Sequence, residues 1–420
     1  MKTEPVDGRL ADHLSIALLT SAFPVPLLDE VILISGCADR RRRALPARLT
    51  IYYVLALCVF PDRNYDEIMR LLLNGLSWRS RWARSWEPPS ASAISRARAR
   101  LGAEPLRVLF GRMARPPEPG APGPVPSPRN APEQGAGNGR GPGRHDGPAR
   151  GAGPAGLRLV SVDGATLTVP ETRDNAAFGY PDEAARFPCV RVTAMADGRT
   201  HALVDATIGA SGSGRHGLAP RLLAHLGPGT LLLAGPGSGG AGLWRQASRT
   251  GAHLLCGAGG TAGLPVARLL GDGSFLSRPP GWTGTPLRVV PLPGLPGLPG
   301  LPAGTGRLVT TLTDPRRAPA PDLAAWYARR WVMDGALAWL RSDRSGAAVA
   351  LRSRTPETVT QEVWALLCVY QAVRALACPG AERAPAPPAP GWPAPRARAG
   401  GRAGGVAGAG SLRGFGGLRG

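Results

Sequence analysis

Apolar residues recur at helical spacing from early in the chain, at Leu14, Leu18 and Leu19, and again through Val54, Leu55, Leu57, Cys58 and Val59. The pattern continues over Asp66 to Leu73 and is interrupted at Pro88-Pro89. It restarts at Ser90 to Leu101, where a serine stands at the helix-capping position. Residues 10–113 therefore predict an all-α bundle of about four or five helices.

The pattern changes after residue 156. Leu157 to Val162 and Thr166 to Val169 predict two short strands, and Val190 to Gly209 predicts a hairpin turning on Asp197-Gly198. Gly229 to Ala234 predicts a buried strand, followed by a helix over Ala241 to Thr250. Further strands are expected at His253 to Cys256, Val266 to Leu270 and Arg307 to Leu312, and closing helices at Pro321 to Arg341 and Val359 to Leu376. Strands mixed with helices over residues 157–378 indicate an α/β domain of mixed type.

Two stretches lack core-forming residues. Residues 114–156 are almost wholly Pro, Gly, Ala, Arg, Asn and Ser and predict a disordered linker; residues 379–420 predict a basic disordered tail. Leu292 to Pro302 repeats Leu-Pro-Gly, which cannot form an interior strand and fits a surface loop.

Composition adds a partner class. The net charge is +21 and Lys2 is the only lysine, so the excess is arginine, the side chain best shaped for phosphate. The 58 glycines and 45 prolines beside it are also what a GC-rich genome writes by default, so charge alone leaves nucleic acid open. The six cysteines form no Cys-x-x-Cys pair, which argues against a zinc site or disulfide framework. The apolar run Thr50 to Phe60 is too short to cross a bilayer and no signal segment opens the chain, so a cytoplasmic, nucleoid-associated protein is expected and a membrane partner is not.

Two segments carry a family resemblance. Ser90 to Gly102 resembles the end of the helical N-terminal domain of insertion-sequence-4-type transposases. Tyr327, Arg330, Asp334 and Arg341 stand at the spacing of that family's Tyr-Arg-Glu-Lys signature around its third catalytic acid. The resemblance implies a helical DNA-end-binding domain, then a ribonuclease-H-like catalytic domain with a β-rich insertion at about 238–312. It also implies DNA as partner, both element terminal repeats and target, with a homodimer in the synaptic complex. In such enzymes two aspartates and a glutamate hold two Mg²⁺ or Mn²⁺ ions about 4 Å apart, which activate the attacking oxygen and steady the leaving one.

Carried onto this chain, the resemblance puts the first acid at Asp163, ahead of Gly164. The second falls after the strand Thr230 to Ala234, where relatives read Asp-Arg-Gly-Phe and this chain reads Gly235-Pro236-Gly237-Ser238. Leu243-Trp244-Arg245 and Thr250 to Leu255 match the family's next helix and strand, so the register holds and the carboxylate is missing. The third falls on Asp334, one methylene shorter than glutamate and so about 1 Å short of the metal position. Asp163 and Asp334 would then be the remaining catalytic metal ligands. Asp205, Asp272 and Asp314 are the other acids to consider as substitutes.

For DNA contact the candidates are Tyr327, Arg330 and Arg341, the helix arginines Arg96, Arg98 and Arg100, and the run Arg40 to Arg43. Residues two apart on a helix diverge, so Arg96, Arg98 and Arg100 cannot share one face. The expectation is an insertion-element transposase of impaired catalysis. A DNA-end-binding protein or inhibitor without catalysis, and an unstable pseudogene product, are the alternatives.

Overall fold

The computed structural model describes residues 10–39, 41, 45–77, 89–114, 156–198, 200, 202–212, 218–235, 241–259, 263–279, 284–292, 305–330 and 351–377. The expected linker over 114–156 apart from its two end residues, the tail after 378, the Leu-Pro-Gly repeat beyond Leu292, and Asp334 and Arg341 lie outside these.

Among the described residues the N-terminal part forms six helices: α1 (Leu10–Ala22), α2 (Val25–Ile34), α3 (Ala47–Val59), α4 (Tyr65–Ser77), α5 (Ala91–Leu101) and α6 (Glu104–Ala114). Helix α3 is buried on every side from Leu49 to Cys58, the signature of a central helix rather than an amphipathic surface one. Helix α5 starts where Ser90 accepts a hydrogen bond from the Ala93 amide. It stops at Gly102, whose φ of 69° lies in the region that only glycine enters without strain.

The second part is built on one nine-stranded sheet in the order β3-β2-β1-β4-β5-β9-β8-β7-β6. Its strands are β1 (Arg158–Thr168), β2 (Cys189–Asp197), β3 (Leu203–Ala210), β4 (Thr230–Ala234), β5 (His253–Gly259), β6 (Val266–Leu269), β7 (Phe275–Ser277), β8 (Leu287–Pro291) and β9 (Thr305–Thr310). Strands β1, β4 and β5 run parallel, while β2 and β3 are antiparallel. That arrangement of five strands is ribonuclease-H-like. The strands of the expected insertion extend the same sheet through β9, and β7 and β8 are strands the sequence pattern did not reveal.

One expectation changes in a way that matters for function. Leu157 to Val162 and Thr166 to Val169 are one strand, not two: β1 pairs with β2 without a break from Val160 to Thr168. Asp163-Gly164 is therefore mid-strand. Continuous pairing with β2 overrides the turn preference of an Asp-Gly pair.

Strand β4 is apolar because both its faces are covered. On one face Val160, Val162, Leu232 and Leu254 pack against α7 (Pro220–Leu223) and α8 (Ala241–Arg249). On the other, Leu159, Leu231, Leu233 and Leu255 pack against α9 (Ala320–Ala328) through Leu323, Trp326 and Tyr327. Further along β1 on that second face, Ala165 and Leu167 join a different cluster, formed by the N-terminal helices and α10 (Pro356–Ala377).

The helical part shares this core with the sheet. Helix α10 packs against α3 and α6, and Gln361 on α10 donates to the carbonyls of Arg98 (3.1 Å) and Gly102 (2.7 Å), closing the C-terminal end of α5. Glu357 accepts from the Ala103 amide at 2.8 Å, at the start of α6. Gln371 serves both backbone groups of Leu203 on the edge strand β3, which leaves that edge less open to pairing.

His253, at the start of β5, is buried, and burial with Arg317 nearby pushes its pKa down from 6.5 to about 4. The folded chain thus holds His253 neutral while the unfolded chain protonates it below 6.5. With more protons bound on unfolding, stability falls as pH drops from 6.5 toward 4, by up to about 3 kcal/mol for this group. Thermal unfolding across that range checks it: His253→Asn should flatten the slope, and an unchanged slope would assign the acid sensitivity to other groups.

Candidate functional site

Asp163 lies where two hydrophobic clusters meet. Leu159, two turns of the pleat before it, belongs to the α9 side; Ala165, just after it, belongs to the helical side. Ser161 and Asp163 share that face of β1 and form a polar gap in an otherwise apolar surface. The Asp163 side chain is 23% exposed, and its Oδ1 accepts from the Gly164 amide at 2.7 Å.

The parallel register places Val162 beside Ala234, so the next pair along is Asp163 and Gly235. A Cβ on Gly235 would stand 3.3 Å from Asp163 Oδ2 and 3.4 Å from Arg330 Nη1. Position 235 is therefore the neighbouring-strand position from which a second carboxylate would face the first. Glycine there supplies no oxygen from a side chain.

Arg330 follows α9 and is nearly fully buried, at 3% exposure. Its Nη1 donates to Asp163 Oδ2 at 2.8 Å, and its guanidinium lies 5.9 Å from the Tyr327 ring centre. Tyr327 is enclosed, and its hydroxyl donates to the Ala234 carbonyl at 3.3 Å, pinning α9 to the end of β4. Burial pushes the phenol well above its usual pKa, with Arg330 opposing, so the hydroxyl stays protonated.

Several of the expected DNA contacts point inward in this geometry. Tyr327 is sealed in the core and Arg330 is turned inward onto Asp163, so neither presents itself to solvent. Arg98 is also buried: it donates to Gln361 Oε1 (2.9 Å), Ser353 Oγ (2.7 Å) and the Thr358 carbonyl (3.1 Å). Helix geometry explains the split, since Ile94, Ala97, Arg98 and Leu101 form the buried face of α5 and turn Arg96 and Arg100 outward. Arg100 reaches the Leu45 carbonyl at 2.8 Å, and Arg96 is exposed.

The other acids are committed elsewhere. Asp205 is buried and held by Arg221, with His225 Nε2 at 3.1 Å. Asp272 pairs with Arg288, a fully buried arginine that also holds Ser274 and the Ala318 carbonyl. Asp314 accepts from the Arg316 amide at 2.9 Å.

A two-metal centre needs several hard oxygen donors converging on each ion. Among the described residues no group of three His, Cys, Asp or Glu side chains gathers to hold a metal. Among the described residues the site offers the Asp163 carboxylate with a guanidinium bonded to it and a glycine opposite, and these residues alone do not fit two divalent ions. Among the described residues no single helix is long and apolar enough to cross a membrane.

Two regions of the chain match known families. Residues 13–111 match the family of insertion element 4 transposase N-terminal regions, and residues 154–372 match the transposase DDE domain. The chain is 25% identical over 361 residues to the transposase InsG for insertion sequence element IS4 of Escherichia coli strain K12, covering 83% of this chain and 73% of that one. Among solved structures, a cryo-EM structure of the piggyBac transposase synaptic complex with hairpin DNA aligns over 86% of this chain and 74% of that one. Its identity is 8% and its TM-score 0.37, too low a likeness to bear on the fold.

Proposed function

Because the chain belongs to the transposase DDE domain family, which matches residues 154–372, we propose that it recognises the DNA ends of an insertion element while its strand-cleaving centre is impaired. The observation that carries the impairment is the glycine at position 235, whose Cβ position faces Asp163 Oδ2 at 3.3 Å. In a competent relative, two divalent ions would supply the nucleophile activation and leaving-group stabilisation of an in-line phosphoryl transfer. In this chain Asp163 is instead neutralised by Arg330, and Tyr327 holds α9 in the position that brings the guanidinium there.

End binding falls to the outward arginines of the helical part, Arg96 and Arg100, together with the basic run at 40–43. An occupying role without cleavage is the form this takes: the chain covers element ends, alone or as a homodimer, and competes with an active transposase. The shared core of helices and sheet supports a folded binder over an unstable product.

The test is a gel shift and a nicking assay run in parallel on labelled DNA carrying the element's own ends, in Mn²⁺, which tolerates imperfect ligand sets better than Mg²⁺. End-specific binding without nicking is expected, with Arg96→Ala/Arg100→Ala losing most of the binding and only about 1 kcal/mol of stability, from the lost Arg100 bond to the Leu45 carbonyl. Nicking that disappears in Asp163→Ala would overturn the impairment.

A further inference from the structure

The sheet face opposite Asp163 carries a second polar patch. In the register of β1, β2 and β3, Gly164 lies opposite Thr193 and Thr193 opposite Thr207, while Thr166 lies opposite Arg191 and Arg191 opposite Gly209. All six are half-buried, whereas Val160, Val162 and Met195 on the same face are covered by apolar packing. The end of this face beyond α7 is thus only half covered, and it is lined by threonine, glycine and one arginine.

Arg191 is placed with some specificity. A Cβ on Gly164 would fall 2.7 Å from Arg191 Nη2 and 3.1 Å from Cζ, so the guanidinium lies directly on the backbone of the residue that follows Asp163. Its Nε is buried and makes no hydrogen bond, and no carboxylate pairs with it among the described residues. A half-buried cation without an anion is costly in a folded chain, and native structures normally provide the partner.

We propose that Arg191, with the Thr166 and Thr193 hydroxyls, forms a contact site for a phosphodiester group of DNA. A guanidinium fork and adjacent hydroxyls are the donor set that phosphate oxygens accept from, and such contacts fix the register of DNA without reading its sequence. Arg330 flanks Asp163 on the other face, so β1 carries a guanidinium on each side at residues 163–164, and the one at Arg191 is open to a ligand. This rests on the proposal that the chain binds DNA, and adds a binding residue in the sheet domain to those in the helical part.

The experiment is fluorescence anisotropy of a labelled duplex carrying the element end, titrated with the full chain at a series of salt concentrations. Arg191→Gln is expected to lower the slope of log affinity against log salt by about 1 and to weaken binding about tenfold near 0.1 M salt. Arg191→Lys is expected to recover the slope but not the full affinity, because the charge returns without the planar fork. Thr193→Val, nearly isosteric, should weaken binding several-fold and keeps the test open should Arg191→Gln fold poorly. Wild-type affinity and slope in both Arg191→Gln and Thr193→Val would overturn this site while leaving DNA binding intact. Failure of the unsubstituted chain to bind any duplex would overturn both proposals together.

Discussion

Gly235→Asp is expected to turn a chain that leaves element-end DNA intact into one that nicks it in Mn²⁺, with a gain on the order of a hundredfold or more over the unsubstituted chain. The register puts residue 235 next to Asp163 across the parallel pair β1 and β4, so the new carboxylate would enter facing the existing one. Space permits it. The closest atoms to the new Cβ, at 3.3 and 3.4 Å, are the ends of the Asp163 and Arg330 side chains, which can give by a few tenths of an ångström where backbone could not. Without metal, Arg330 offsets the repulsion of two adjacent carboxylates; with Mn²⁺ present, both can turn to the ion. A denaturing gel of end-labelled DNA reads the result. A Gly235→Asp protein that folds and binds DNA but does not nick would show that position 235 is not what limits the centre.

Arg98→Met is expected to destabilise the whole chain by about 3 kcal/mol or more, measured by denaturant unfolding. Arg98 is the meeting point of α5, the segment before α10 and α10 itself, through Ser353, Thr358 and Gln361. Ser353 in turn donates to Glu362, whose carboxylate also takes the amides of Arg352 and Ser353. Methionine fills much of the volume but leaves those buried acceptors without a donor, and unmade buried hydrogen bonds cost more than made ones return. Arg96→Met, one turn face away and exposed, should leave stability unchanged within about 0.5 kcal/mol. Equal effects at 96 and 98 would contradict the division of α5 into a core face and a solvent face.

That contrast shows where the sequence is legible. The divergence of Arg96, Arg98 and Arg100 follows from helix geometry alone, but which of them turns inward depends on Gln361, 263 residues further along the chain. The same distance hides the packing of α10 on α3 and α6, so the helical segment reads as an independent bundle when it shares a core with the sheet. Strand β4 was readable because a short apolar run bordered by glycine and proline on both sides fits a buried strand better than a helix. Strands β7 and β8 were not: they are short and bordered by Gly-Asp-Gly and proline-rich sequence, which signal turns.

At the site, Asp163 and the glycine at 235 were both found from family resemblance, and their adjacency is a matter of strand register. The Asp-Gly pair at 163–164 carries a turn signal that long-range pairing with β2 overrules. The inward turn of Arg330 was not readable either, since an arginine at the end of an aromatic-rich helix more commonly faces water. Its partner is a carboxylate 167 residues away. Arg191 left no sequence signal among so many arginines; only the contact with Gly164 distinguishes it.

The proposed impairment rests on residue 235, which carries no carboxylate to help hold the metals. Calorimetric titration of Mn²⁺ into the unsubstituted chain, beside Gly235→Asp, tests this most directly. The unsubstituted chain should give no saturable binding, and Gly235→Asp should bind in a manner lost when Asp163→Asn is added. Saturable binding of about two ions by the unsubstituted chain, abolished by Asp163→Asn, would contradict it.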